Sequence, residues 1–355
     1  MGGTAAGMTS LPDEKLASLA RWLDAHSFAG DGDLPALTPL SGGTQNQLFR
    51  IDRGGESSVL RMGGPGADEA RMKGLRREHL LLAALKGADV PHAELIAGED
   101  GDDVLGGPFY VMQVVDGWSP TQGWPAPYDT DLAARGQLAF GLIEGAAKLA
   151  AVDWEARGLR GFGRPDNFHD RQVDRWTSFL AGYRFREIPG LDEASRWLAS
   201  HRPRHWTPGI MHGDYQFANV MFDRSVPAGL AAVIDWEMTT IGDPLLDLGW
   251  ALIAWSPEGD DMPHMRFLDL AGMPPREQLL EHYERVSGRS TEDIDYYVIL
   301  ARWKLAIVLE KAYARYVAGG DVDPDVAKWG PLILELMRKA AELSRTASAR
   351  KVSDS

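Results

Sequence analysis

The sequence predicts an α+β fold with two lobes, a small N-terminal lobe built on an antiparallel sheet and a larger, mainly helical C-terminal lobe. Short β-type segments separated by glycine turns fall within residues 1–115, whereas helical periodicity dominates residues 116–355. A chain of 355 residues with 44% hydrophobic residues has enough apolar content for a core in each lobe. The predicted lobes therefore meet between residues 115 and 116.

The N-terminal lobe is predicted to combine helices with a glycine-containing hairpin. A Ser-Leu-Pro-Asp start at 10–13, followed by leucines at helical spacing, predicts a first helix that ends near residue 30. The further predicted elements are a hairpin over 40–51, a strand at 57–62, a helix at 76–85 and a strand at 107–115. The hairpin turn holds Gly42, Gly43 and Thr44, where backbone N–H groups could approach phosphate oxygens; an ordinary glycine turn is the alternative.

Helical patterns dominate the C-terminal lobe. The predicted helices cover 131–151, 171–183, 191–200, 244–255, 276–287, 292–317 and 326–346. The apolar residues of 296–316 place that helix inside the lobe, and the small polar residues from Thr346 onward predict a frayed tail.

Composition excludes several classes of function. The formal net charge of −14 argues against nucleic-acid binding, which relies on basic patches. The absence of cysteine excludes disulfides, thiolate metal sites and cysteine nucleophiles. The sequence has no apolar run of membrane-spanning length and no secretory signal at its N-terminus, so we expect a cytoplasmic protein with no membrane association. Its oligomeric state cannot be deduced from these features.

The motif with the clearest chemistry is His212-Gly213-Asp214-Tyr-Gln-Phe-Ala-Asn219, followed by Val-Ile-Asp235-Trp-Glu. A carboxylate is followed by an amide five residues on and by a second carboxylate sixteen residues later. Phosphoryl transfer needs one group that orients the incoming hydroxyl, and oxygen ligands that hold Mg²⁺ on the phosphates. Asp214 is the candidate catalytic residue, and Asn219 and Asp235 are the candidate metal ligands. Taken alone, a His-Gly-Asp turn is more often only a loop; the spacing favours a kinase.

These residues resemble the aminoglycoside phosphotransferase and choline kinase-like family, whose members share the protein-kinase-like fold. The resemblance extends from about residue 35 to 345 and rests chiefly on HGDYQFANVMF and VIDWEMTTIGDPLLDLGW. Within the family the chain is most similar to the branch associated with acyl-CoA dehydrogenases. The resemblance implies an enzyme that transfers a phosphoryl group from ATP or GTP, with Mg²⁺, to an alcohol group of a small molecule.

The resemblance also implies roles for residues around the motif. His212 would support the catalytic loop, and Asp247 would brace it through backbone hydrogen bonds. Arg61 stands where relatives commonly have Lys, and would reach the phosphates while pairing with Glu78. At the passage between the lobes, main-chain groups of Gln113 and Val115 would meet the adenine ring, with Met112 behind it. Glu237 is a further candidate that would support Asp235.

The sequence does not determine the acceptor, and it allows two competing functions to be considered. A nucleotide-binding pseudokinase is one alternative, because Arg61 replaces the usual Lys. A protein kinase is disfavoured, because only eleven residues separate Asp235 from Asp247 and leave no room for a peptide-binding segment. A hydroxylated metabolite such as a hydroxyacyl-CoA is the favoured acceptor, and an aminoglycoside is the runner-up. The residues considered for an acceptor site are the acids Glu258, Asp260 and Asp261 and the aromatics Trp118, Trp124 and Trp206.

Overall fold

A computed structural model describes residues 11–40, 46–255, 269–320 and 323–353. The chain divides into two units. Unit 1 is formed by the chain up to Gly117 together with Trp154–Arg160 and Ala231–Glu237, and the remaining residues form unit 2. The predicted α+β architecture is confirmed, since unit 1 contains the antiparallel sheet and unit 2 is mainly helical.

The sheet of unit 1 has five antiparallel strands in the order β1-β2-β3-β5-β4. Their bounds are β1 (Ala36–Pro39), β2 (Asn46–Arg53), β3 (Glu56–Gly63), β4 (Leu95–Glu99) and β5 (Phe109–Gln113). The predicted hairpin and the strands around 57–62 and 107–115 are therefore present. The edge strand β4 was not predicted, because its residues are only partly buried and show no clear alternation.

Two helices accompany this sheet. They are α1 (Asp13–Ala25) and α2 (Glu69–Leu85). The first helix ends earlier than predicted, and α2 begins seven residues before the predicted residue 76 because the Asp68 side chain caps it by accepting from the Arg71 N–H at 2.9 Å. Apolar residues of α1 form the core of unit 1 with residues of β2, β3 and β5.

Unit 2 holds the later helices and short strands. The helices are α3 (Leu132–Ala151), α4 (Gln172–Ala181), α5 (Leu191–Ser200), α6 (Leu245–Ala251), α7 (Arg276–Ser287), α8 (Ile294–Val317) and α9 (Trp329–Ser353). Its strands are β6 (Gly209–Met211), β7 (Val220–Phe222) and β9 (Thr240–Gly242), and β6 pairs antiparallel with β9. A further strand, β8 (Leu230–Val233), has its first residue in unit 2 and its other residues in unit 1. The chain passes from unit 2 into unit 1 within β8.

Helix α8 lies in the interior of unit 2, as predicted, and packs against α6 and α9. The prediction of a frayed tail from Thr346 is wrong, because α9 continues to Ser353. Side-chain contacts hold this end of α9: Trp197 Nε1 donates to Ser348 Oγ at 2.9 Å, and Arg345 pairs with Glu193 at 2.6 Å. Within the described ranges, no helix is long and apolar enough to cross a membrane.

Candidate active site

Unit 1 contains a buried ion pair between β3 and α2. Arg61 Nε lies 2.8 Å from Glu78 Oε2, and both side chains are buried. Tyr110 on β5 pairs with Arg61 in the strand register and donates its hydroxyl hydrogen to Glu78 Oε2 at 2.8 Å. The predicted contact between Arg61 and Glu78 is therefore present, with a tyrosine that the sequence did not reveal as a third member.

Burial and charge oppose each other in this cluster. Burial lowers the pKa of Arg61, but the groups around it, Glu78 and Asp235 among them, raise this pKa by a larger amount. The net pKa is therefore raised, and the guanidinium stays charged. Burial also raises the pKa of Glu78, against the lowering effects of Arg61 and of the Tyr110 hydroxyl. The pKa of Tyr110 is raised well above its usual value, chiefly by burial, so its hydroxyl remains a hydrogen-bond donor.

Asp235 lies in the same unit, at the end of the segment that follows β8. The Val233 N–H donates to the Pro91 carbonyl at 2.8 Å and fixes this segment. Asp235 Oδ1 is 3.6 Å from Arg61, and 42% of its side chain is exposed. Its φ of +64° lies in the left-handed region, which a non-glycine residue adopts only at a cost. Glu237 is near enough to raise the pKa of Arg61.

The other predicted nucleotide-binding residues of unit 1 are only partly described. Gly42, Gly43 and Thr44 lie outside the described residues. The Gln113 N–H donates to the Glu94 carbonyl at 2.9 Å, so an adenine contact from Gln113 would have to use its carbonyl oxygen. Val115 follows the end of β5, and its predicted contact with the base stays a prediction.

In unit 2, the Asp214 carboxylate is held by two amide side chains. Gln216 Nε2 donates to Asp214 Oδ1 at 2.8 Å, and Asn219 Nδ2 donates to Asp214 Oδ2 at 2.8 Å. Asn219 Nδ2 also donates to the Asp214 carbonyl oxygen at 2.8 Å. These contacts occupy the amide nitrogen of Asn219 and orient its carbonyl oxygen, which accepts no bond from a described residue.

Asp247 supports this loop from α6. It is 2% exposed, and its carboxylate accepts the N–H groups of His212 at 2.5 Å and Gly213 at 2.8 Å. Burial raises the pKa of Asp247 to about 7, although the two backbone hydrogen bonds and Lys304 lower it. The bracing contacts implied by the family resemblance are therefore present.

Gly213 allows the chain to turn sharply before Asp214. Its φ is +89°, and a Cβ at this position would lie 2.6 Å from the Met238 carbonyl oxygen. The ring of His212 is fully buried, and its Nδ1 accepts the Asp214 N–H at 3.4 Å. His212 therefore contacts the backbone of the loop, as its predicted supporting role requires.

The available donor set fits Mg²⁺. The predicted metal ligands are a carboxylate and an amide oxygen, and Mg²⁺ prefers such oxygen ligands, retaining waters and binding phosphates at its other positions. In the described part of the chain, no group of three or more His, Cys, Asp or Glu residues could hold a metal by itself.

Known proteins bear on the identity of this chain. A model of the phosphotransferase enzyme family (APH) matches residues 36–288, more than half of the sequence. The chain belongs to this family. The match covers both the Arg61–Glu78 pair and the Asp214 loop, so both lie within the domain that defines the phosphotransferase family.

Relatives of this chain include longer proteins. It is 29% identical over 316 residues to acyl-CoA dehydrogenase family member 11 of Gallus gallus, covering 87% of this chain and 40% of that protein. It therefore spans less than half the length of this relative. Viomycin phosphotransferase of Streptomyces vinaceus is 27% identical over 184 residues, which is 47% of this chain and 58% of that protein.

Solved structures agree with the fold. A protein of Ralstonia eutropha JMP134, provisionally assigned as an aminoglycoside phosphotransferase, has a TM-score of 0.79 and 28% identity, covering 93% of this chain and 98% of its own. The complex of APH(2″)-IIIa with GDP and kanamycin has a TM-score of 0.59 at 17% identity, with coverage of 86% and 92%. That lower identity supports the fold alone.

The residues considered for an acceptor site are only partly described. Glu258, Asp260 and Asp261 are outside the described residues. Trp118 and Trp124 are 6.2 Å apart, between ring centroids, whereas Trp206 packs against His169 at 5.3 Å. The structure also reveals two residues in contact with predicted site residues that sequence reasoning missed: Tyr110 and Gln216. Only Gln216 had a visible signal, its position inside the HGDYQF motif.

Proposed function

We propose that this chain is a Mg²⁺-dependent small-molecule kinase that transfers the γ-phosphoryl group of ATP to a hydroxyl group. The observation that carries the proposal is the arrangement of Asp214 with Asn219. One amide nitrogen fixes the carboxylate, and the same contact directs the amide oxygen away from it. Phosphoryl transfer to an alcohol requires a fixed carboxylate that orients the hydroxyl and an oxygen ligand for the metal, and this residue pair offers both.

Asp214 would orient the acceptor and receive its proton. The hydrogen bonds from Gln216 and Asn219 hold both carboxylate oxygens, which limits the carboxylate to one rotamer. As the acceptor oxygen forms a bond to the γ-phosphorus, the bond between that phosphorus and the β–γ bridging oxygen breaks and ADP leaves. The hydroxyl proton passes to Asp214 and from there to solvent.

Unit 1 would supply the contacts to the nucleotide. Arg61, held by Glu78 and Tyr110, offers guanidinium hydrogens that can fork onto phosphate oxygens, which a lysine does as a point charge only. Asn219 and Asp235 would hold Mg²⁺, which would supply positive charge next to the phosphate oxygens. The proposed contacts of the triphosphate and the base remain Gly42, Gly43, Thr44, Gln113 and Val115. Units 1 and 2 would then correspond to the N-terminal and C-terminal lobes of a kinase.

The favoured acceptor is a hydroxylated metabolite such as a hydroxyacyl-CoA. The proposal rests on the similarity to proteins named as acyl-CoA dehydrogenase family members. The similarity to viomycin phosphotransferase supports an antibiotic acceptor as the second candidate. A pseudokinase is the third, but the ordered Asp214–Asn219 contact argues against it, because a protein that only binds nucleotide does not need an oriented base.

The test is Mg²⁺-dependent release of ADP from ATP in the presence of 3-hydroxybutyryl-CoA or kanamycin. Asp214→Asn keeps the shape of the side chain but removes its proton acceptor, so we expect turnover to fall by at least about 100-fold while nucleotide affinity changes little. Asp166→Asn, at an exposed acid of the same unit, is the matched control.

Two outcomes would refute the proposal. If neither ATP nor GTP binds with Mg²⁺ at millimolar concentration, the kinase assignment fails. If nucleotide binds but no hydroxylated compound from a broad panel releases ADP above the Asp214→Asn background, the chain is a nucleotide-binding pseudokinase.

A further inference from the structure

Unit 2 contains a cavity of about 490 Å³. This volume is within the range of pockets that bind small molecules. Two segments that are distant in the sequence line the cavity, residues 200–205 at the end of α5 and residues 290–293 before α8, together with Leu245 and Tyr297. Among the described residues that line it, none belongs to the predicted catalytic, metal-binding or nucleotide-binding set. The cavity is therefore separate from the candidate active site.

The first segment supplies positive charge to the cavity. Arg202 and Arg204 both line it and both are exposed. Arg202 pairs with Asp170 at 2.9 Å, so its guanidinium is partly engaged. Arg204 forms no hydrogen bond or ion pair with any described residue. Its guanidinium is therefore available to an anionic group in the cavity.

The orientation of His201 is fixed at the edge of the same segment. Its ring stacks on Trp197 with 4.4 Å between the centroids and 9° between the planes, and its Nδ1 lies 2.9 Å from the Trp197 carbonyl oxygen. A carbonyl oxygen only accepts hydrogen bonds, so Nδ1 carries the hydrogen of the neutral ring. The Nε2 atom is then an acceptor, and no described residue donates to it. An ammonium or hydroxyl group of a ligand supplies the matching donor.

The second segment supplies negative charge. Asp293 directly precedes α8, but its carboxylate does not cap the helix. Among the described cations, none forms an ion pair with Asp293 or with the exposed Glu292. The two acids and the two arginines thus line one cavity without pairing with each other. Unpaired charges of both signs leave separate positions for the two ends of a dipolar ligand.

The buried residues of the cavity offer apolar contact. Leu245 is 7% exposed and Tyr297 is 1% exposed. The Tyr297 hydroxyl already donates to Asp243, so the surface that Tyr297 offers to a ligand is that of its ring. A ligand that also carries an apolar side chain therefore fits this part of the cavity.

We propose that this cavity binds a small zwitterion with a carboxylate, an ammonium group and an apolar side chain, the chemistry of amino acids and short peptides. Arg204 pairs with the carboxylate, and Asp293 and His201 Nε2 accept from the ammonium group. With neutral histidines, the two arginines and the two acids that line the cavity balance, so neither a pure anion nor a pure cation is favoured. This second site does not depend on the proposed kinase function.

The experiment uses one dipeptide with its two end charges present or removed. The probes are glycyl-leucine, the anionic N-acetylglycyl-leucine, the cationic glycyl-leucinamide and the neutral N-acetylglycyl-leucinamide. Binding to the full chain is measured by calorimetry without nucleotide or Mg²⁺. We expect glycyl-leucine to bind with the lowest Kd, and the Kd to rise by about threefold to tenfold for each charge removed, because the paired residues are partly exposed.

Two variants assign the two ends of the ligand. Arg204→Gln should raise the Kd of glycyl-leucine and of N-acetylglycyl-leucine, and leave the Kd of glycyl-leucinamide unchanged. Asp293→Asn should raise the Kd of glycyl-leucine and of glycyl-leucinamide, and leave that of N-acetylglycyl-leucine unchanged. Arg196→Gln is the matched control, since Arg196 is an exposed arginine of α5 that does not line the cavity. Urea unfolding of each variant checks that the fold is kept.

The results separate a zwitterion site from the other possibilities. Failure of glycyl-leucine to bind at millimolar concentration would overturn the inference. Tightest binding of the anionic or the cationic probe would show a site for one sign of charge and would overturn it as well. Binding that neither Arg204→Gln nor Asp293→Asn changes would place the ligand elsewhere and contradict the proposal. Because nucleotide is absent from these measurements, failure of the proposed kinase function would leave their result unaffected.

Discussion

Removing Arg61 tests how unit 1 is held together. Arg61→Met leaves Glu78 buried with only the Tyr110 hydroxyl as partner. Breaking a buried ion pair by deleting one member costs about 3–5 kcal/mol, because the remaining charge is uncompensated. We expect a loss of that size in the free energy of unfolding, measured by urea denaturation near neutral pH. The exposed Arg71→Met serves as the control.

The loss of stability caused by Arg61→Met should depend on pH. Burial already raises the pKa of Glu78 above its usual value, so the folded state keeps the proton to higher pH than the unfolded chain. The contribution of Glu78 to stability therefore falls as pH rises from the ordinary carboxyl pKa through the raised one. Arg61 opposes that rise, and without it the folded pKa moves further up. The loss caused by Arg61→Met should therefore be smaller at acid pH than near neutrality.

The same variant tests the proposed contact between Arg61 and the nucleotide. Affinity for Mg²⁺ and ADP, measured by calorimetry, should fall by about 10- to 100-fold in Arg61→Met, and Arg61→Lys should retain an intermediate affinity. A stability loss within about 1 kcal/mol of wild type, independent of pH, would refute the reasoning, because it would mean that Glu78 carries no uncompensated charge. Combining Arg61→Met with Glu78→Gln should recover part of the loss.

Three further changes test the loop of unit 2. Asp247→Asn replaces one acceptor of a backbone N–H by a donor and should lower the free energy of unfolding, measured in urea, by about 2–4 kcal/mol. Burial raises the pKa of Asp247 from 3.8 to about 7 in the folded state, so the stability of wild type relative to this variant should fall as pH rises between those values. A stability difference that does not change with pH would count against the raised pKa. Gly213→Ala should lower kcat with little change in nucleotide Kd, since its Cβ would lie 2.6 Å from the Met238 carbonyl oxygen, and unchanged kinetics would show that the loop tolerates the displacement. Asn219→Ala should raise the Mg²⁺ concentration for half-maximal ADP release by about tenfold or more, as loss of one of few protein ligands does, and an unchanged Mg²⁺ dependence would exclude Asn219 as a ligand.

The sequence was most informative where short-range spacing determines geometry. Asn219 is five positions after Asp214, and the chain between them turns so that the amide meets the carboxylate. The contact between Arg61 and Glu78 was predicted from the family resemblance, which pairs a cationic residue of the strand with a glutamate of the helix that follows it. The ends of helices were less predictable, because the Asp68 cap starts α2 earlier than the apolar pattern indicates.

The sequence was least informative where distant segments meet. Tyr110 reaches Glu78 because β5 pairs with β3 in one register, and strand order cannot be read from either segment alone. Lys304 lies in a helix pattern that resembles any buried helix, and its proximity to Trp176 depends on how α4 packs against α8. Such contacts are set by tertiary packing, which leaves no local signal.

The left-handed backbone of Asp235 restricts what evolution and engineering can place there. Glycine, asparagine and aspartate adopt this conformation most readily, and branched side chains resist it. A change from aspartate to asparagine alters charge while keeping the backbone, and it needs a single-base change. The proposed role of Asp235 as a metal ligand can therefore be tested without changing the backbone that it adopts. The Asp235→Asn protein accordingly separates the charge of this side chain from its backbone conformation.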